Sequence, residues 1–514
     1  MQAPSCVPAT GKVPHRPAVR FPLPVFAALA VAVLSGCEVG PDYKTPEQHM
    51  PSRWVAPPTT QASIAVPEPL QVEQWWTTFN DPELDSLVRR AVQSNLNVQL
   101  ATQRIRQSRA TLGIAKAGFW PTIDANGSFT HSFSASSGHS VNTASGAVTT
   151  VGAHTADLWQ AGFDATWELD IFGGIRRNIE SSRATYESSI EDRRDVLVTL
   201  LGELATDYVQ LRGDQQQVVI AQENLTAQVH SLDVTRRKQQ AGTTTGLDVA
   251  NAEAQVATTR SQIVGFESLA QQQAYAISVL LGEEPANLLE ELSPRERIPV
   301  APPVVPVGLP SDLLRRRPDI RRAERQLASQ TAQIGVATAD LFPKFSLTGD
   351  VTVGGHRFQQ LGNWGTRFWS FGPSFSWPVF DAGAIWSNIE VQKALQSQAL
   401  LTYRQTVLTA LQDVETSLTA YAQEQQRRAA LADAVAADQR AVSIATRLYE
   451  QGFADFLNLL VAQQALYTAQ NQLVLSDQAV ATDLVSLYKA LGGGWEIGEA
   501  AATQPASAGS QRPD

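Results

Sequence analysis

Cysteine is nearly absent: the 514 residues hold two, Cys6 and Cys37, both close to the start of the chain. The body of the protein therefore has no disulfide framework, no thiolate metal site and no cysteine nucleophile. Histidine is scarce as well, seven in all, and no two stand at a metal-ligand spacing such as HxxxH, so neither a metal nor a cofactor is expected. Charged residues make up only 18% and sum to −10, which offers no basic face to a nucleic acid. No nucleophile–base pair or phosphate-binding loop stands at a useful spacing, and an enzyme is not expected. Long apolar runs are missing apart from Phe21 to Leu34; nothing later approaches the ~20 residues of a spanning helix. With 43% hydrophobic residues and a mean hydropathy of −0.15, the bulk is nonetheless an ordered chain.

What is present begins with an address. Lys12, Arg16 and Arg20 precede the apolar stretch, and Leu34-Ser35-Gly36-Cys37 follows it. A basic segment, a short apolar core and a small-residue site read as a secretory signal over residues 1–36, cleaved between Gly36 and Cys37. The four residues resemble a bacterial lipobox, which implies that Cys37 becomes the first mature residue and carries acyl chains through its sulfur. Each buried methylene would contribute ~0.8 kcal/mol to holding the chain on a leaflet of outer-membrane lipid. Glu38 in the next position, rather than Asp, implies onward transport to the outer membrane by analogy with enteric bacteria. Residues 37–74 are proline-rich without a helical period and read as an extended tether.

Self-comparison shows a duplication. Trp167 to Asn178 lies over Trp377 to Asn388, and at the same shift of 210 residues Gly242 falls on Gly452, Leu247 on Leu457 and Leu281-Gly282 on Leu491-Gly492. Trp120-Pro121 pairs with Phe342-Pro343 at a slightly larger shift. The repeats span 75–284 and 311–492, with a Pro-rich linker at 285–310 and a tail at 493–514 whose composition predicts disorder. Each repeat has the order helix, strand, loop, strand, very long helix, turn, helix. The first helix is expected from Pro82 to Lys116 with Asp81 as N-cap, and its counterpart from near Ser311-Asp312. Ile175 to Gln240 contains no proline, nor does Ile385 to Gln451. Helices of that length reach ~100 Å and belong to coiled coils or elongated tubes. Each ends at a turn, Ala241 to Gly246 or Gln451 to Asp455, where the chain doubles back.

Four segments, about 122–133, 158–170, 345–353 and 368–380, alternate apolar and polar residues with the period of a β-strand. They have about the ~9–11 residues of a tilted membrane strand, with aromatics near their ends. Asp124, Asp164, Glu168 and Asp350 lie on the polar face, which suits a wet lumen; Pro373 argues against an unbroken ladder in the fourth. A soluble sheet with one buried face shows the same alternation. Four strands cannot close a barrel, and an open edge cannot sit in lipid. Two copies would give a filled eight-stranded barrel, three a twelve-stranded one with room for an aqueous bore.

Gly36 to Tyr43, Trp75 to Leu84, and Leu309 to Ile320 followed by Ala323-Glu324 resemble the outer-membrane factor family, in its NodT-type lipoprotein branch, TolC-like in fold. The likeness covers about residues 36 to 492. It implies an α+β, mainly α fold: four membrane β-strands per protomer, twelve in the homotrimer, and long α-helical hairpins forming a periplasmic tunnel. It also implies docking through a periplasmic adaptor (membrane fusion) protein onto an inner-membrane pump of the resistance–nodulation–division (RND) class. Family channels close at the hairpin tips, often with acidic rings, which makes Asp455 the first gate candidate and Asp248 the second. The chain departs from the common pattern in having Ala454 and Val461 where acidic residues are frequent. Gly242, Thr244, Gly452 and Phe453 become candidates for the hairpin tip and adaptor docking. Each of these has a plainer reading: an aspartate after a turn caps a helix, and a glycine in a turn supplies a left-handed backbone. Arg315, Arg316, Arg317 and Asp319 read as a structural salt-bridge cluster.

The expected function is an outer-membrane efflux channel moving small molecules (drugs, solvents, metabolites or metal ions) to the exterior. The alternatives are the exit channel of a type I protein secretion system and a structural surface lipoprotein whose helices form a stalk.

Overall fold

The computed structural model describes residues 38–48, 50–55, 72–135, 138–141, 148–151, 154–302, 305, 308 and 310–498. The signal segment, Gly36, Cys37 and the last residues of the tail lie outside them.

The first repeat contains α1 (Pro82–Ser94), α2 (Leu96–Ala117), β1 (Thr122–Ser134), β2 (His154–Leu169), α3 (Gly174–Gln240) and α4 (Gly246–Leu280). The second contains a single turn at Leu313–Arg316, then α5 (Pro318–Ala339), β3 (Lys344–Gly355), β4 (Arg367–Ser376), α6 (Ala384–Gln451) and α7 (Phe456–Ala490). The element bounds repeat almost to the residue. Ala384 stands 210 residues after Gly174 and Ala490 210 after Leu280, while α5 begins and ends 222 residues after α2. The long helices have 67 and 68 residues and their return helices 35 each.

The helix expected from Pro82 to Lys116 is two helices. Asp81 caps the first, accepting from the Glu83 and Leu84 amides at 3.0 and 3.1 Å. Asn95 ends it and starts the second. Its Oδ1 accepts from the amides of Asn97 (2.9 Å) and Val98 (3.1 Å), and its Nδ2 donates to the Leu280 carbonyl at 2.8 Å. An amide side chain that satisfies backbone groups in this way competes with a continuous helix. In the second repeat the break falls at Arg317, whose ψ of 120° is the extended geometry that the following Pro318 favours.

The chain divides into two compact units: Ala115–Asn178 with Ile334–Ile389 and the segment ending at Pro41, and Asp42–Ile114 with Ile179–Gln333 and the segment from Glu390. The second, helical unit holds the main core. Trp75, Trp76 and Phe79 pack with Leu84, Leu87 and Val88 of α1, Leu201 and Leu204 of α3, and Leu484 and Tyr488 of α7. Trp75 stacks on Tyr488 with ring centroids 5.4 Å apart. Each such leucine, taken fully out of water, stabilises the fold by ~1.5–3 kcal/mol.

The first unit is built on an antiparallel sheet in the order β1-β2-β3-β4. The β2 strand starts earlier than its alternation indicates, at His154, because it continues to pair with β1 as far as Ser134. The β4 strand stops at Ser376, short of the expected residue 380, since Pro378 has no N–H to continue a ladder. Within a single copy β4 is an edge strand, the position in a sheet where a proline such as Pro373 is tolerated. Trp167 Nε1 donates to the Phe119 carbonyl and Trp377 Nε1 to the Leu341 carbonyl, both at 3.0 Å, so the repeat extends to individual indole bonds.

Candidate functional site

Cross-strand register decides what each side of the sheet carries. Phe163, Val351 and Trp369 share one row, and Gly349 and Phe371 the next row on the same side. Ile123, Phe129, Phe163, Trp369 and Phe371 are all exposed, an arrangement that costs free energy in water and none in lipid. On the opposite side Asp124 faces Asp164, Asp164 faces Asp350, and Asp350 faces Ser370. Like charges directly opposite one another destabilise a sheet, so this row does not serve stability. Ser370 donates to Asp350 and Asn126 to Asp164, which relieves part of the repulsion. Among the described residues neither β1 nor β4 has a second neighbour, and the two edges run in opposite directions.

The two hairpin turns are alike in backbone. Gly242 and Gly452 have φ of 72° and 81°, and nothing lies within 4 Å of where a Cβ would stand. Each helix end is closed by the same pair of bonds, Gly242 to Gln239 and Thr243 to Lys238, Gly452 to Tyr449 and Phe453 to Leu448. The side chains then diverge. Thr245 and Asp248 form a capping box at the start of α4, with Asp248 also accepting from the Thr244 hydroxyl at 2.6 Å. The Thr244 hydroxyl, with that of Thr245, holds the Asp248 carboxyl below its ordinary range. Asp455 occupies the N-cap position of α7 yet makes no side-chain cap bond, and it is exposed. Phe453 is 78% exposed, a large apolar side chain at the tip.

Near the tips the two hairpins are tied together by residues that sequence reading did not single out. Lys238 of α3 donates to the Tyr449 carbonyl of α6 and lies 4.5 Å over its ring. Tyr449 Oη bonds the Thr235 hydroxyl at 2.9 Å, and Gln463 bonds Ser231 at 3.0 Å. Tyr449 and Phe456 form a small apolar cluster with Leu232, Val256 and Leu459. Among the described residues no group of His, Cys, Asp or Glu side chains is arranged to hold a metal, and no helix is long and apolar enough to cross a membrane.

The sequence profile of outer membrane efflux proteins matches residues 87–283 and 309–493. The chain belongs to that family. Nodulation protein T of Rhizobium leguminosarum bv. trifolii is 32% identical over 93% of this chain and 97% of its own length. The solvent efflux pump outer membrane protein SrpC of Pseudomonas putida is also 32% identical, over 93% of this chain and 99% of its own. Among solved structures, the outer-membrane channel OprN superposes with a TM-score of 0.82 at 34% identity, covering 90% of this chain and all of that one. The open-state MtrE outer membrane channel of Neisseria gonorrhoeae gives 0.74 at 26%, covering 89% and 99%. This efflux protein is thus an outer-membrane channel with a TolC-like fold and a helical tunnel in the periplasm, a transport conduit and not an enzyme. Within the Arg315–Asp319 motif, Arg317 and Asp319 form an ion pair. Arg317, only 9% exposed, pairs with Asp319 at 2.7 Å and Asp413 at 3.1 Å and donates to the Ala490 carbonyl at 3.0 Å.

Proposed function

We propose that three copies close one twelve-stranded barrel and act as the exit duct of a tripartite efflux system for small molecules. The observation that carries this is the pair of open sheet edges. Because β1 and β4 run oppositely, β4 of one copy continues the antiparallel ladder onto β1 of the next, and the unpaired edges disappear. The exposed apolar side of the sheet then meets lipid, and the aspartate row meets an aqueous bore. Cys37, acylated after cleavage at Gly36, anchors each copy to outer-membrane lipid. The hairpin tips dock a periplasmic adaptor, through Gly242, Thr244, Gly452 and Phe453, and the adaptor leads to an inner-membrane pump of the RND class. Asp455 is the primary gate candidate, since its carboxylate is not used in capping; Asp248 is the weaker one because its carboxylate is. Cargo is a drug, solvent, metabolite or metal ion. Among relatives, one is named for solvent efflux and another, OpmQ of Pseudomonas aeruginosa, for pyoverdine export.

In-cell photo-crosslinking from position 453, with mass spectrometry of the captured protein, tests this. Capture of a periplasmic adaptor encoded with an RND pump is the expected result. An adaptor that belongs to an ABC exporter would move the duct to protein secretion, and capture of nothing but its own copies would refute the tripartite assembly.

A further inference from the structure

Among the described strand residues, the apolar side of the sheet carries ionisable groups at one end only. That end is where β1 turns toward β2 and β3 toward β4, away from the helices that follow and precede the strands. There Arg367 stands in one row with Val353 and Ala161, and His131 stands opposite Asp157. At the other end the same side holds Leu169, Phe345 and Phe375. His131 and Asp157 bond each other, which leaves the Arg367 guanidinium without a countercharge on this side. The sequence shows the same asymmetry. In a chain that sums to −10, residues 131–157 and 353–368 hold Asp157 as their only acid against Arg357 and Arg367.

The β3–β4 loop that carries Arg357 is folded by its own bonds. The Arg357 amide donates to Gln360 Oε1 at 3.1 Å, the Thr366 hydroxyl to the Gln360 carbonyl at 3.1 Å, and the Gly365 amide to Asn363 Oδ1 at 2.9 Å. His356 Nδ1 bonds the Asp157 carbonyl at 2.8 Å, and the Phe358 ring meets Trp159 edge-on at 5.2 Å, which seats the loop against the apolar side. Arg367 closes it, donating to the Trp364 carbonyl at 2.9 Å and lying 5.4 Å over the Trp364 ring. Phe358, Trp364, Arg357 and Arg367 are all exposed nonetheless, and among the described residues no carboxylate pairs with either arginine. Two cations beside two aromatic rings, at the rim of a face that turns wholly apolar below them, match the level of a bilayer where rings sit among headgroups and arginines reach phosphate. An acidic protein would answer the cations but not the apolar rows that continue beneath them.

We propose that the β3–β4 loop binds the phosphate of a lipid headgroup in the outer leaflet, with Arg357 and Arg367 on the phosphate and Phe358 and Trp364 among the acyl chains beneath it. The proposal rests on the reading of the apolar side as lipid-facing and adds which lipid chemistry that side selects. The test uses the full-length protein in detergent, analysed intact by mass spectrometry after addition of a bis-phosphorylated glycolipid (lipid A) or of phosphatidylcholine. Wild type is expected to retain the phosphorylated glycolipid several-fold over phosphatidylcholine, and the Arg357→Gln/Arg367→Gln protein to lose that preference. Lys344→Gln, on the polar side at the other end of the sheet, should keep it. Should the double variant fail to fold, Arg357→Gln alone carries the test. Equal retention by wild type and variant would overturn the headgroup site, as would an equal loss in Lys344→Gln, which would reduce the effect to net charge. Displacement of the glycolipid by an equal concentration of inorganic phosphate would overturn it too, in favour of a site for the free ion. The same spectrum counts the copies in the complex, so a failure of the trimeric duct is read separately from a failure of the lipid site.

Discussion

Where α1 meets α2, the Asn95 amide donates to the carbonyl of Leu280, the last residue of α4; at the equivalent joint of the second repeat, 222 residues on, Arg317 donates to the carbonyl of Ala490, the last residue of α7. The two residues do the same work on the same helix end with different chemistry. A neutral amide can be buried with its hydrogen bonds alone. A guanidinium at 9% exposure also needs countercharge, and the second repeat supplies Asp319 and Asp413. The substitution of one solution for the other shows that the duplication conserves the joint, not the side chain. It also predicts unequal sensitivity. Arg317→Ala should cost ~2–4 kcal/mol, because it leaves the Ala490 carbonyl and the largely buried Asp319 carboxylate without their shared donor, while the half-exposed Asp413 turns to water, and it should lower the amount of folded protein in the outer membrane. Asn95→Ala should cost only ~1–2 kcal/mol. Thermal unfolding in detergent measures both, and equal losses would break the comparison.

The repeats differ again along their long helices. Burial pushes Asp207 and Asp214 of α3 up to about 6, with Glu203 adding to the shift at Asp207. The positions 210 residues later in α6 are Ser417 and Glu424. A carboxyl raised by folding is protonated in the folded chain before the unfolded one. Stability therefore rises as the pH falls through about 6 and approaches its full gain below the ordinary carboxylate range. Asp214→Asn removes the penalty at high pH and should raise the unfolding temperature at pH 8 by ~2–4 °C, with little change at pH 4. The same gain at both pH values would show that the carboxylate is not the cause.

Much of this architecture is written in the sequence as periodicity. The 210-residue shift, the strands and the turn glycines follow from spacing and from the few conformations open to each residue type. The break at Pro318 is legible because proline restricts its predecessor. The break at Asn95 is not, since an asparagine can cap the two amides that follow it or stay within a helix, and what fixes the choice here is the further bond to Leu280, 185 residues away, in a stretch whose composition reads as unbroken helix. The tie between Lys238 and Tyr449 is hidden for the same reason, being 211 residues apart. At the tips, the difference between the two aspartates is legible in the sequence. Thr245 and Asp248 stand at capping-box spacing, whereas Asp455 directly follows Ala454 and has no equivalent partner before it.

That difference yields the smallest expected effects on stability and the sharpest division of roles. Thr245→Ala opens the capping box of α4 and should cost ~1 kcal/mol. Asp248→Asn weakens the same box, and should leave ion selectivity nearly unchanged if Asp455 alone lines the passage, since the two threonines hold the Asp248 carboxylate back against the start of α4. Asp455→Asn removes no side-chain hydrogen bond of the cap, so its effect on unfolding should stay within ~0.5 kcal/mol. If three copies of Asp455 line the passage, the same substitution removes three charges from one ring, and the reversal potential across a salt gradient should move toward that of an unselective pore. A shift with Asp248→Asn and none with Asp455→Asn would reverse the assignment, making the first hairpin the gate and the exposed Asp455 a surface residue of the tip.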